Sequence, residues 1–233
     1  IGLCLCFSLL TACVSAPSSR APEPASHVFD GLHWFRNSAE QRAIFEQTYR
    51  VAFDAARSLS SGLEQGTWAV ILDVDETVLD NSEYERRLVD GGRAYDGRSW
   101  HDWVLEEAAP ALPGAKTFID RVRSELGGRI VLVTNREQSE CEATASNLKR
   151  VSISFDLILC DGDGTRDKNG RFRAVAEGTD GYGPLNVVLW IGDNIQDFPS
   201  LTQSNPGNLA DFGVRYFLLP NPMYGSWTSV PWK

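Results

Sequence analysis

Two carboxylates one residue apart, Asp73 and Asp75, stand at the end of an unbroken apolar run, Trp68-Ala69-Val70-Ile71-Leu72. A run of this length and composition reads as a buried strand. Close carboxylates repel each other, and each loses hydration on burial. The arrangement is useful if a divalent cation sits between them, or if one acts as a nucleophile and the other as an acid. Polar groups recur where later strand-like runs end: Thr134 and Asn135, then Lys168 in a loop, then Gly192-Asp193-Asn194-Ile195-Gln196-Asp197. One such ending is usually a helix cap. Four on the same side of a parallel sheet would converge on one site.

The elements that must position these groups follow from periodicity. Ser38-Ala39-Glu40-Gln41 reads as a capping box, and Phe45, Tyr49, Ala52, Ala56 and Leu59 recur at helical spacing. A helix over about 38–60 is expected, with Gly62 near its end. After the Asp73 strand, 81–113 breaks the rhythm with Gly91-Gly92, Gly97, Trp100 and Trp103, which suggests a small helical cap inserted into the fold. A regular alternation then resumes. Helices are expected over 115–126, 137–149 and 196–201, and strands over 129–134, 155–160, 187–191 and 214–219. Apolar strands alternating with helices predict an α/β fold with a mostly parallel, doubly wound sheet.

The 233 residues carry a net charge of -9 and contain 42% hydrophobic residues. No Lys/Arg-rich run is present, which argues against a polymeric nucleic acid partner. A small phosphate remains compatible if a metal and local cations offset its charge. Ile1–Leu10 is apolar but too short to span a bilayer and looks like the core of a signal peptide, through residue 12. Leu10-Thr11-Ala12-Cys13 resembles a bacterial lipobox, with Cys13 as the lipidated residue. Val14 in the next position points to the outer membrane of a bacterial envelope, reached by a lipid anchor only. The Ser/Pro/Ala-rich stretch that follows, to about residue 30, reads as a tether, with the folded domain over 31–233. Cys141 and Cys160 would remain in the mature chain, either paired or as two buried thiols.

The motif set resembles the haloacid dehalogenase (HAD) superfamily, with a DxD, a Ser/Thr, a Lys and paired acids. It is closer still to class C bacterial acid phosphatases, the lipoprotein 5′-nucleotidase group. Ile71–Tyr84 (ILDVDETVLDNSEY) and Val131–Arg136 (VLVTNR) resemble that group's two signatures, and SWHDWV, PGA and LPNPMYGSW add to the likeness. The resemblance implies a HAD-like Rossmannoid core with a small cap. Asp73 would be the nucleophile that becomes an aspartyl-phosphate. Asp75 would be the general acid and then the base. Thr134 and the N–H of Asn135 would hold phosphate oxygens, and Lys168 would offset their charge, with Arg171 or Arg173 as its rival. Mg²⁺ would be bound by Asp73, Asp193 and the carbonyl of Asp75, with Asp197 behind it or holding Lys168. The substrate would be a small phosphomonoester, such as a nucleoside 5′-monophosphate.

Seven Trp is high for this length. Tyr84, Trp100, Trp103 and Tyr224 are candidates to stack on a nucleobase, with core packing of the cap as the alternative. His27, His33 and His101 are too few and scattered for a histidine relay or a metal cluster. Other readings are a phosphatase for another small phosphomonoester, such as a sugar phosphate, and a surface lipoprotein binding a ligand such as haem. No His/Cys/Met pattern suggests dedicated haem ligation.

Overall fold

The structure is a computed structural model that describes residues 26–179, 181 and 183–232. The proposed signal segment, Cys13 and most of the tether lie outside the described residues. Five parallel strands form one sheet in the order β3-β2-β1-β4-β5. They are β1 (Trp68–Leu72), β2 (Arg129–Glu137), β3 (Leu157–Asp161), β4 (Asn186–Gly192) and β5 (Tyr216–Leu218). β1 is central, which explains its lack of polar residues: both faces are covered. Trp68, Val70 and Leu72 enter one apolar cluster and Ala69 and Ile71 the other, following the period of two. Strand order reverses between β1 and its neighbours β2 and β4. A crevice therefore opens at the C-terminal tip of β1.

Half of the capping box expected at Ser38 forms, since the Ser38 N–H donates to the Trp34 carbonyl at 3.0 Å rather than to the Gln41 side chain. The Ser38 hydroxyl accepts from the N–H of Gln41 at 3.0 Å and starts α2 (Ala39–Leu59). An additional helix, α1 (Ser26–Asn37), precedes it and overlaps the expected tether. Leu32 and Phe35 anchor α1 in the core, with the Phe35 ring edge-on to Phe45 at 5.8 Å. The inserted cap contains α3 (Ser82–Asp90) and α4 (Gly97–Glu106). It leaves and rejoins the core through one stem, where Leu79 bridges Ala111 and the N–H of Leu112 donates to the Val78 carbonyl at 2.9 Å.

α5 (Ala115–Arg121) relaxes into a π turn over Val122–Leu126. β2 runs on to Glu137, and after one 3₁₀ turn α6 (Cys141–Arg150) begins. The loop after β3 leads into α7 (Asn169–Glu177), which the sequence pattern does not announce. The helix expected over 196–201 is a single 3₁₀ turn, Ile195–Asp197, closed off by Pro199. Cys141 and Cys160 are joined by a disulfide, with Cα atoms 5.9 Å apart, linking the start of α6 to β3. Among the described residues, no helix is long and apolar enough to cross a membrane.

Candidate active site

The strand tips converge on a cavity of about 990 Å³ lined by Asp73, Asp75, Asn135, Lys168, Asp193 and Asp197, among others. Asp73 is fixed first by its backbone, whose N–H donates to the Ile191 carbonyl of β4 at 3.0 Å. The chain then turns sharply: the N–H groups of Val78 and Leu79 both return to the Val74 carbonyl, and Glu76 takes φ 52°. This turn lifts Asp75 off the sheet and sends the chain into the cap. Glu76 is fully buried and accepts from the N–H of Asn81 at 2.7 Å, and burial raises its pKa well above the usual range.

Lys168 ties two of the acids together. Its Nζ donates to Asp73 Oδ1 at 2.5 Å and to Asp197 Oδ1 at 2.7 Å. Burial alone would lower its pKa, but Asp197 and Asp73 outweigh burial and hold it above the ordinary value, so the ammonium stays protonated. The loop that delivers it is shaped by carboxylates. Asp161 accepts from the N–H groups of Gly164 and Arg166, each at 3.1 Å, and Arg166 takes φ 58°. Of the rival cations, Arg171 donates to the Thr134 carbonyl and to Asn135 Oδ1, and Arg173 is exposed.

Asp197 packs directly over the end of β4. A Cβ on Gly192 would lie 2.3 Å from the Asp197 side chain, so this approach requires glycine. Both Asp197 oxygens are engaged, Oδ1 by Lys168 and Oδ2 by the N–H of Asn194 at 2.8 Å. Asp193 Oδ2 accepts from Asn221 at 2.9 Å, while its Oδ1 has only a long 3.4 Å contact with Thr77. Asp73 Oδ2 accepts from no described residue.

Oxygens of Asp73, Asp193 and Asp197 lie within 4.8 Å of one another. Three carboxylates against one ammonium leave an excess of negative charge. Burial raises Asp73 to about 7 despite the opposing pull of Lys168, with Asp197 and Asp75 adding to the rise. Burial also lifts Asp193 well above its usual range, aided by Asp197 and Asp73. An all-oxygen donor set with two under-used oxygens fits a hard divalent cation between Asp73 and Asp193.

Asp75 is held separately. Arg136 Nε and Nη2 lie 3.0 and 2.8 Å from its Oδ1, and Asn81 Nδ2 donates to the same oxygen at 2.8 Å. Arg136 also donates to Thr144 and Asn81, and Asn81 accepts from the Trp103 indole at 2.9 Å. One buried network thus links the cap helix α4 to Asp75. The sequence pattern assigns no role to Arg136, Asn81 or Asn221. The signal that could have found Arg136 is its position two residues after Thr134, on the same face of β2.

Thr134 is fully buried. Its Oγ1 accepts from the N–H of Arg136 at 3.1 Å, leaving the hydroxyl proton available, and Asn135 forms the adjoining wall. The four candidate aromatics separate into two pairs. Trp100 and Tyr224 line the cavity, joined by Tyr95, which the sequence pattern does not single out. Tyr84 and Trp103 are instead buried in the cap core. The Tyr84 hydroxyl pairs with Ser99 at 2.9 Å, and its ring sits edge-on to Trp100 at 5.3 Å.

Comparison with known proteins agrees with this geometry. The class C acid phosphatase from Bacillus anthracis, solved with tungstate bound, matches with a TM-score of 0.76 and 31% identity, covering 86% of each chain. Acid phosphatase 1 of Solanum lycopersicum is 30% identical over 180 residues, 74% of this chain and 64% of its own length. The stem 28 kDa glycoprotein of Glycine max is 29% identical over 163 residues, 66% of this chain and 58% of its own length. The chain thus spans less than two thirds of either plant relative. Residues 19–227 match the family described as HAD superfamily, subfamily IIIB (acid phosphatase), and the chain belongs to that family.

Proposed function

We propose that this chain hydrolyses small phosphomonoesters, nucleoside 5′-monophosphates foremost, through an aspartyl-phosphate on Asp73 and with Mg²⁺ as cofactor. The observation that carries this reading is the separate holding of the two acids: Asp73 by Lys168 and Asp75 by Arg136. Adjacent carboxylates with different partners can take different chemical roles.

Asp73 attacks phosphorus, forming one P–O bond as the bond to the leaving oxygen breaks. Asp75 gives a proton to that oxygen. Arg136 and Asn81 hold its Oδ1 at 2.8–3.0 Å, and Oδ2 has only a long 3.4 Å contact with Arg136 Nε, so Oδ2 is the less engaged oxygen for that proton. Asp75 then takes a proton from the water that attacks the aspartyl-phosphate, and inorganic phosphate leaves. Lys168 stays charged throughout and offsets the phosphate oxygens, helped by the N–H of Asn135 and the Thr134 hydroxyl. Mg²⁺, held by Asp73, Asp193 and the Asp75 carbonyl, would offset the repulsion between a carboxylate nucleophile and a phosphate dianion. The tungstate-bound relative supports the reading, since tungstate is a tetrahedral oxyanion like phosphate.

The test is phosphate release from p-nitrophenyl phosphate and from nucleotides, with and without a chelator. Rapid quench with labelled aryl phosphate should trap label on Asp73, and Asp73→Asn should trap none. Full turnover in excess chelator would remove the metal from the scheme. We further propose export and lipid anchoring through Cys13 in a bacterial envelope. Cys13→Ser, expressed with a complete leader, should release activity from the membrane fraction.

A further inference from the structure

The cap wall of the cavity carries one acid that the proposed chemistry does not use. Glu85, Leu88 and Val89 lie on one face of α3, at the helical spacing of three and four, and all three line the cavity with Tyr95 and Trp100. The wall is otherwise apolar and aromatic, apart from Arg93. Cations surround Glu85 in sequence, yet each is drawn elsewhere. Arg86 pairs with Glu83 and Asp90, and Arg87 pairs with Glu83 and Glu106. Arg93 folds back over Gly91, its Nε 3.0 Å from where a Cβ there would sit. The Glu85 carboxyl forms no hydrogen bond or ion pair with any described residue. A partly buried carboxyl without a partner is costly unless a ligand completes it.

We infer that Glu85 is a specificity-determining residue that accepts a hydrogen bond from the amino edge of a nucleobase and disfavours leaving groups lacking a donor there. This rests on the phosphomonoesterase reading, and on the base lying against the aromatic wall that Glu85 shares. A carboxylate is an acceptor only. Cytosine presents an amino group where uracil presents a carbonyl oxygen, so the two bases form a pair of nearly equal size and opposite polarity.

The test compares the product nucleosides, cytidine and uridine, which bind without being turned over. Their dissociation constants would be measured by NMR titration with the intact chain and with Glu85→Gln. At pH 8, above the value of about 7 to which burial raises Glu85, the carboxylate is charged. Cytidine should then bind about tenfold more tightly than uridine, as expected for a hydrogen bond to a charged acceptor. Glu85→Gln should bring the two within about threefold, because its amide can turn either a donor or an acceptor to the base. Turnover of p-nitrophenyl phosphate, which has no amino edge, should stay within about twofold. Equal affinities in the wild type, or a preference that survives Glu85→Gln, would overturn the inference. Absence of phosphatase activity would instead remove the proposed function, while the nucleoside ratio would still decide the role of Glu85.

Discussion

Arg136 is the deeper partner of Asp75: its side chain is 1% exposed against 20% for the acid. Both line the cavity, but the cation is the more deeply buried of the two and grips the acid directly, so its influence on the chemistry runs through the orientation of Asp75. Removing one partner of a buried ion pair costs roughly 3–5 kcal/mol, so Arg136→Met should lower the melting temperature clearly. Arg136→Lys keeps the charge but loses the fork that grips Oδ1. Its turnover on nucleotides should fall about a hundredfold, within the range for proton transfer. Aryl phosphates leave with little protonation and should lose less. Equal losses on both substrates would show that Arg136 serves the fold alone.

The metal prediction separates Asp193 from Asp197. Mg²⁺ should raise the melting temperature of the wild-type chain, as any ligand selective for the folded state does. Asp193→Asn should abolish that rise and cut turnover heavily. Asp197→Asn should retain a rise, because its oxygens are already engaged by Lys168 and Asn194. A melting temperature indifferent to Mg²⁺ in the wild type would contradict the assignment.

The aromatic residues should divide as their burial does. Base stacking contributes roughly 1–3 kcal/mol per base, so Trp100→Ala or Tyr224→Ala should raise KM for a nucleotide about tenfold. Tyr84→Ala and Trp103→Ala should instead destabilise the chain by about 3–5 kcal/mol, the usual cost of truncating a large buried ring. Thermal melts run beside the kinetics distinguish the two effects. A nucleotide KM unchanged in both cavity variants would leave those rings without a role in binding.

Glu85 makes stability depend on pH in a known direction. Burial raises its folded-state pKa from the usual 4.5 to about 7. Between those values the folded state holds a proton that the unfolded state has lost, so folding stability falls as pH rises through this window. Below about 4.5 the contribution is fully present, and above about 7 the loss is complete, at most about 3 kcal/mol. Glu85→Gln should flatten this part of the profile, read by denaturant titration at pH 4.5, 6 and 8. An unchanged slope in the variant would place the dependence on other groups.

The acids at the tips of β1 and β4 are legible in the sequence because an apolar run ending in Asp has no packing explanation. Asp73, Asp75 and Asp193 therefore stand out from residue order alone. Lys168 is visible as a polar residue in the loop after a strand, but its role emerges only through the family resemblance, since its polar turn looks like any solvated loop until the loop is folded over Asp73. Arg136 is hidden for the opposite reason: a charged residue near a strand end suggests solvent, and only its three-dimensional meeting with Asp75, Asn81 and Thr144 accounts for its burial. Trp100 and Trp103 lie three apart on one helix, and spacing alone does not say which faces the cavity. The indole bond of Trp103 to Asn81 decides it. α7 escapes the pattern because a helix of 9 residues leaves room for few apolar positions, and α1 escapes because it begins inside the stretch that reads as a tether.

The Cys141–Cys160 bridge lies one residue from two loop-shaping acids. Glu140 accepts from the N–H of Glu137 at 3.0 Å on one side, and on the other Asp161 folds the loop toward Lys168. The cystine spans a sequence separation of 19, and closing a loop of that size contributes about 3 kcal/mol in the chain-entropy view. The bridge lies outside β1 and β4, where Asp73 and Asp193 arise. Reducing the disulfide would remove a covalent tie between the start of α6 and the strand whose last residue, Asp161, shapes the Lys168 loop, and would leave β1 and β4 without a broken bond.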